Sequence, residues 1–217
     1  ELGPLLDRLL GDLPETGAPL PEHVDYALPG GVDVVEFDTP QSVVSFAQPG
    51  ITRDDPDFIP AYIMMEIFSG GGFSSRLMEE VREKRGLTYG IGASLYPMDN
   101  AELIIGSVSS ANDKVAETIE VIKAEWAKLA EDGITQEELD RAKTYLTGAY
   151  PLRFDGNGRI ANILVGMQMT DLPIDYPETR NELVDAVTLE DINRVVDRII
   201  EPERLHFVVV GKPAGLE

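Results

Sequence analysis

The chain has 217 residues, 43% of them hydrophobic and 26% charged, with 39 acidic against 18 basic side chains and a net charge of −21. That length suffices for one sizeable domain or two small ones, no apolar run approaches the roughly 18 residues of a membrane span, and the acidic balance excludes a phosphate-binding surface of the kind nucleic acids need. With no cysteine there is no disulfide, thiolate metal site or cysteine nucleophile, while the negative surface suits cationic partners such as basic peptides.

The chain opens at Glu1 rather than Met and reads as a fragment or processed product. Any targeting segment would lie upstream, which leaves the compartment open. Leu5, Leu6, Leu9 and Leu10 mark one side of a short helix over Leu2–Leu10. Gly11 to Gly31 is rich in proline and glycine and reads as a linker arm, so residues 1–31 are set apart from one folded unit at 32–217. Two β-rich runs, Val32–Phe37 and Ser42–Gln48, are separated by Asp38-Thr39-Pro40 and suit a hairpin. Asp55-Pro56 reads as a helix start, with Asp as N-cap and Pro at the first helical position. Phe58, Ile59, Tyr62, Ile63 and Ile67 form its buried face.

The next stretch, Ser69 to Pro97, organises the rest. Gly70-Gly71-Gly72 is a sharp turn, and Ser74 or Ser75 is placed to cap a short charged helix. Leu77, Met78 and Val81 form its apolar stripe, with Arg76, Glu79, Glu80, Glu83 and Lys84 outward. Gly86 closes that helix. Tyr89, Ile91, Ala93 and Leu95 then alternate with small polar residues at the period of a half-buried strand. A second strand follows over Glu102–Ser109. Read locally, Arg82 pairs with Glu79 one turn back, and Tyr89 tips the apolar strand face.

Val115, Ile119, Ile122, Trp126 and Leu129 recur at helical steps, and Asp132-Gly133 stops that helix. Thr135 with Glu138 is a capping box for a further helix carrying Leu139, Ala142, Leu146 and Ala149, broken at Tyr150-Pro151. Helices over Arg159–Met169 and Glu178–Asp185 come next. Thr188 to Asp191 caps another, with Ile192, Val195, Val196 and Ile199 inward, and Leu205–Val210 is a closing strand. Hairpin-connected strands with helices between them predict an α+β two-layer sandwich, a mainly antiparallel sheet with helices packed on one face.

Most catalytic motifs fail on context. Gly156-Asn157-Gly158-Arg159-Ile160-Ala161 fits a dinucleotide pattern but follows a helix, not a strand. The glycine triplet lacks the Lys-Ser/Thr pair of a phosphate loop. His23 lies in the arm and His206 in an apolar strand, so neither joins a zinc pair.

The run GGGFSSRLMEEVREKRGLTYGIGASLYP, with Gln41-Ser42, Asp55-Pro56-Asp57, Ile134-Thr135 and Thr188-Leu189-Glu190-Asp191-Ile192, resembles the pitrilysin/insulinase/mitochondrial processing peptidase family of zinc metallopeptidases. The likeness covers roughly Val32 to Gly211. It implies paired, similar α+β domains enclosing a peptide chamber, with zinc held by an inverted HxxEH helix on one of them. This chain has no such motif and resembles the zinc-free domain, inactive alone. The resemblance implies no metal here and zinc on a partner HxxEH domain or subunit, in a homo- or heterodimer or on a longer chain. Peptides or unfolded segments would be the substrate. It also places an Arg and a Tyr seven residues apart near the partner's active site, which correspond to Arg82 and Tyr89. A structural or scaffolding subunit related to the peptidases is the other class of function.

Overall fold

The computed structural model describes residues 2–24, 26–70 and 74–216. Five strands form one sheet in the order β1-β5-β2-β4-β3: β1 (Gly31–Glu36), β2 (Gln41–Pro49), β3 (Ile91–Tyr96), β4 (Leu103–Ala111) and β5 (His206–Gly211). The pairings β2–β4, β3–β4 and β2–β5 are antiparallel, and only β1–β5 is parallel. The expected α+β two-layer sandwich is therefore present. The β1–β2 hairpin is not. The two strands run antiparallel but are held apart by β5, which pairs Gly31–Glu36 on one side and Val43–Ala47 on the other. The connection after β1 crosses the end of β5 instead of turning tightly, and Phe37 N–H donates to the Gly211 carbonyl at 3.0 Å.

Alternation decides the faces. Along β2, Ser42, Val44, Phe46 and Gln48 are buried, while Gln41, Val43 and Ser45 are exposed. Val44, Phe46, Ile104, Val108, Phe207 and Val209 form the inner face. On this side α2 (Phe58–Met65) packs on β3 and α3 (Val115–Asp132) on β4, with α4 (Gln136–Ala149) and α7 (Leu189–Ile199) packed on α2; α1 (Leu2–Leu10) lies in the arm, and α5 (Asn157–Met169) and α6 (Tyr176–Ala186) are the other α-helices among the described residues. Trp126 on α3 is the centre of the layer. Its ring meets Phe46 edge-on at 5.8 Å and Phe68 at 4.9 Å, the edge-to-face geometry favoured by aromatic quadrupoles. Its indole N–H donates to Gln48 Oε1 at 2.6 Å, and the Gln48 amide donates on to the Ile199 carbonyl. A buried glutamine thus has partners at both ends, as burial demands.

Helix ends follow the sequence closely in two cases. Thr135 with Glu138 and Thr188 with Asp191 both form reciprocal capping boxes. Helix α3 stops at Gly133 and α4 at Tyr150-Pro151. The start of α2 differs from expectation. Its N-cap is Asp57, and Asp55 instead accepts from the Asp57 N–H at 2.8 Å. Both carboxylates are recruited by α7: Arg198 reaches Asp55 at 2.6 Å and Asp57 at 2.5 Å, and Arg194 reaches Asp57 at 2.5 Å.

Helix α2 runs on as a π-helical turn, Glu66–Gly70, and the short charged helix is itself π-helical over Met78–Glu83. Gly71 and Gly72 of the expected glycine turn lie outside the described residues. Leu77, Met78 and Val81 are buried as predicted. Arg76 does not face outward: its guanidinium makes a two-pronged pair with Glu138 at 2.7 Å and donates to the Gly133 carbonyl at 2.9 Å. Ser69 protects the β3 edge, its hydroxyl donating to the Ala93 carbonyl and accepting from the Ala93 N–H at 2.6 Å.

In the arm, every residue of α1 is exposed. The arm is pinned near its end, where Val24 N–H donates to the Asn100 carbonyl at 2.7 Å, His23 meets Glu102 at 3.0 Å and the Tyr26 hydroxyl donates to the Glu102 carbonyl.

Candidate functional site

Arg82 and Tyr89 flank one tight connection between the π-helical turn and β3. The connection is closed by two backbone bonds, Gly86 N–H to the Arg82 carbonyl at 2.8 Å and Leu87 N–H to the Val81 carbonyl at 3.0 Å. Gly86 sits at φ +61°, where a side chain would be strained and glycine is not. Leu87 is buried and its carbonyl accepts from the Ser110 hydroxyl at 2.7 Å. Thr88 then clamps the next step: its hydroxyl donates to the Ser109 carbonyl at 2.7 Å and accepts from the Gly90 N–H at 3.1 Å. The backbone on both sides of Tyr89 is thereby fixed to β4.

The tyrosine side chain is 89% exposed. This overturns its expected place on the apolar face of the strand. The alternation begins only at Ile91, opposite Val108, because the Thr88 turn breaks the phase before the ladder starts. Tyr89 instead borders a shallow hollow of about 340 Å³ beside Gln41, Val43, Ser107 and Ser109. Val43 and Ser109 are register partners on exposed positions, so this hollow belongs to the helix-free face of the sheet.

Arg82 keeps its side chain about 29% exposed, with Nε 3.6 Å from Glu83. The expected partner Glu79 is taken by Lys84 at 3.0 Å, which also reaches Glu80 at 2.5 Å. Arg85 joins Glu80 at 2.6 Å. Those cations hold the Glu80 carboxyl below its ordinary range, Arg85 first and Lys84 second. The residues that sequence reasoning missed are the holders, Thr88, Ser109 and Ser110. The one signal is the Thr88 hydroxyl two residues from Gly86 and Gly90, which is common in turns; Ser109 and Ser110 read as ordinary strand residues.

Among the described residues, no group of three His, Cys, Asp or Glu side chains could hold a metal ion. His23 bonds Glu102, and His206 meets the Gly30 carbonyl at 3.1 Å and Asp33 at 3.0 Å. Gly156 is the residue before α5 and follows a 3₁₀ turn rather than a strand, consistent with an ordinary loop. No described helix is long and apolar enough to cross a membrane.

The model of the family described as "Peptidase M16 inactive domain" matches residues 1–146. The chain is 30% identical over 183 residues to the "Non-peptidase homolog YmxG" of Helicobacter pylori, covering 82% of this chain and 41% of that protein. It is 28% identical over 185 residues to an uncharacterized zinc protease of Streptomyces coelicolor, covering 84% of this chain and 39% of that one. The chain thus spans about two-fifths of the length of these relatives. A solved peptidase M16 inactive domain from Pseudomonas fluorescens superposes with a TM-score of 0.80 at 29% identity, over 92% of this chain and 47% of that one. A sheet with helices on one face and this family match lead to one conclusion: the chain belongs to the peptidase M16 family, as its inactive domain.

Proposed function

We propose that this domain closes a peptide chamber and supplies Arg82 and Tyr89 to a zinc site carried by a partner HxxEH domain. The observation that carries this reading is Tyr89 itself, a large aromatic standing 89% exposed on a backbone fixed on both sides. Single exposed aromatics are ordinary, but a phenol carried on a fixed backbone is a hydrogen-bond donor offered from a defined point. The zinc ion of the partner would supply the Lewis acid that a peptide hydrolase of this family requires. On this chain, the Tyr89 hydroxyl donates to the substrate carbonyl oxygen as negative charge builds there. The planar Arg82 fork holds neighbouring backbone carbonyls of an extended peptide.

In the assembled parent protein, Tyr89→Phe lowers kcat by up to roughly 10²–10³, the range for loss of one such donor, with KM little changed. Arg82→Ala raises KM, and Arg82→Lys rescues it in part. Melting temperatures stay at the wild-type value. Wild-type turnover in Tyr89→Phe, or a loss that follows unfolding, would sink the reading, as would about one tightly held zinc per isolated chain.

A second reading rests on the Helicobacter pylori relative, which bears the name of a non-peptidase homolog. There the domain acts as a scaffold within its longer protein, and neither substitution alters any peptide hydrolysis.

A further inference from the structure

A cleft of about 320 Å³ opens between the start of α2, the end of α4 and helices α5 and α6, within the size range of small-ligand sites. It lies apart from the Arg82–Tyr89 connection. Its polar wall consists of Arg53, Tyr62, Tyr150, Arg153, Tyr176 and Arg180, brought together from four separate stretches of chain. Phe58 and Ile59 on α2 and Ile163 and Met167 on α5 supply the apolar part.

The charge balance of this wall is unusual for so acidic a chain. Elsewhere the guanidiniums that join elements are matched with carboxylates, Arg76 with Glu138 and Arg194 and Arg198 with Asp55 and Asp57, and Arg85 and Arg204 pair with Glu80 and Glu201; Arg8, Arg141 and Arg159 are unmatched among the described residues, but each stands apart from the others. Arg53, Arg153 and Arg180 form no ion pair with a carboxylate among the described residues. Arg180 is only 4% exposed. It is held by the Leu146 carbonyl at 2.9 Å and Asn181 Oδ1 at 3.0 Å, over the Tyr150 ring at 4.6 Å. Arg53 lies 4.2 Å over the Phe58 ring and 3.4 Å from the Tyr176 hydroxyl. Tyr150 is 7% exposed, and its hydroxyl has no hydrogen-bond partner among the described residues. A buried donor without an acceptor is costly and uncommon. The carboxylate nearest in influence is Glu66, which burial pushes toward its neutral form while Arg180 opposes that shift.

We propose that this cleft binds a carboxylate carried on an apolar, aromatic-sized body. The carboxylate is received by Arg153, Arg180 and the Tyr150 hydroxyl, since guanidiniums pair with carboxylates through parallel N–H donors. The body lies between the Phe58 and Ile59 side and Met167. A peptide ending in an apolar residue and a free arylalkyl acid share this chemistry.

Calorimetric titration of the 217-residue protein separates the cases. The probes are 3-phenylpropionate, an N-acetyl dipeptide ending in phenylalanine, and the C-terminal amide of that peptide. Saturable binding of at least one acid is expected, with the amide at least about tenfold weaker. Whichever acid binds more tightly identifies the natural source. Arg153 is exposed on its turn, so Arg153→Gln keeps the fold and weakens the acid about tenfold. Tyr150→Phe weakens it severalfold without altering the ring stack. No binding of either acid up to about 10 mM, equal affinity for acid and amide, or an unchanged affinity in Arg153→Gln would overturn the proposal. None of these outcomes depends on what Arg82 and Tyr89 do.

Discussion

Gly106 shows how one missing side chain fixes the centre of the sheet. It sits on β4 against Phe46, and a Cβ built there would lie 2.3 Å from the Phe46 ring and 2.8 Å from the Gly92 carbonyl. Phe46 cannot yield, because Trp126 and Phe207 hold its ring at 5.8 and 5.7 Å. Gly106→Ala is therefore expected to destabilise by about 1–3 kcal/mol or more, as overpacking does, measured by urea unfolding. Arg76 offers the opposite test. Replacing it by methionine keeps the stem but strands Glu138 and the Gly133 carbonyl, and a loss of about 2 kcal/mol is expected. Arg76 reads as a surface charge because its helix phase points outward, and nothing near it in sequence reveals an acceptor 62 residues away. The candidate site was legible in a similar measure. Positions 82 and 89 stand out through family resemblance, whereas the orientation of Tyr89 depends on the Thr88 hydroxyl reaching Ser109.

At the scale of elements, what is local is legible. Both capping boxes are written in four consecutive residues and both form. Thr188→Ala should cost about 1 kcal/mol, with Thr188→Ser close to neutral, read from melting curves. The stripe from Val115 to Leu129 is buried throughout for the same reason, since a 3.6-residue period needs no partner to be recognised. Strand partnership is another matter. The short Asp38-Thr39-Pro40 link favours a hairpin, and only the burial of β5 on both flanks defeats it. The arm gives a further test. Because α1 buries nothing and the first backbone anchor is Val24, deleting residues 1–22 should leave the melting temperature within about 1 °C of the full chain. Deleting through Tyr26 removes the bonds to Asn100 and Glu102 and should lower it, about 1 kcal/mol per bond lost.

The whole molecule carries its charge unevenly. Although the net charge is −21, several carboxylates that join elements are held below their ordinary range. Burial pushes Glu138 up, but hydrogen bonds from Arg76 and Thr135 outweigh it and bring the carboxyl to about 2. Thr188, then Arg194, hold Asp191 at about 2. Asp55 is lowered first by Arg198; for Asp57 desolvation is the largest single effect and pushes it up, but Arg194 and Arg198 together outweigh it and the carboxyl is lowered. A carboxylate depressed in the folded state contributes stability that is complete above its unfolded value and lost as pH falls through the folded one. Burial raises Glu66 and Glu125, which has the reverse sign and acts above the ordinary range. Stability should thus fall steeply from about pH 4.5 to about pH 2, followed by circular dichroism. A variant with Glu138→Gln should show a shallower decline.

The place of β5 has a consequence for synthesis of the chain. The strand inserted between β1 and β2 is the last of the five in chain order, at His206–Gly211. A nascent chain that has released α1 to α7 still lacks the strand next to its β1 edge, and β1 has no neighbour to pair with. The growing polypeptide must hold a slot open until His206–Gly211 leave the ribosome, a closure across some 170 residues of sequence separation. A product ending before His206 would lose an interior strand of the sheet rather than an edge. Such a chain would show two unpaired strand flanks to its neighbours, so incomplete translation products should be recognised by chaperones and proteases rather than accumulate as soluble domains.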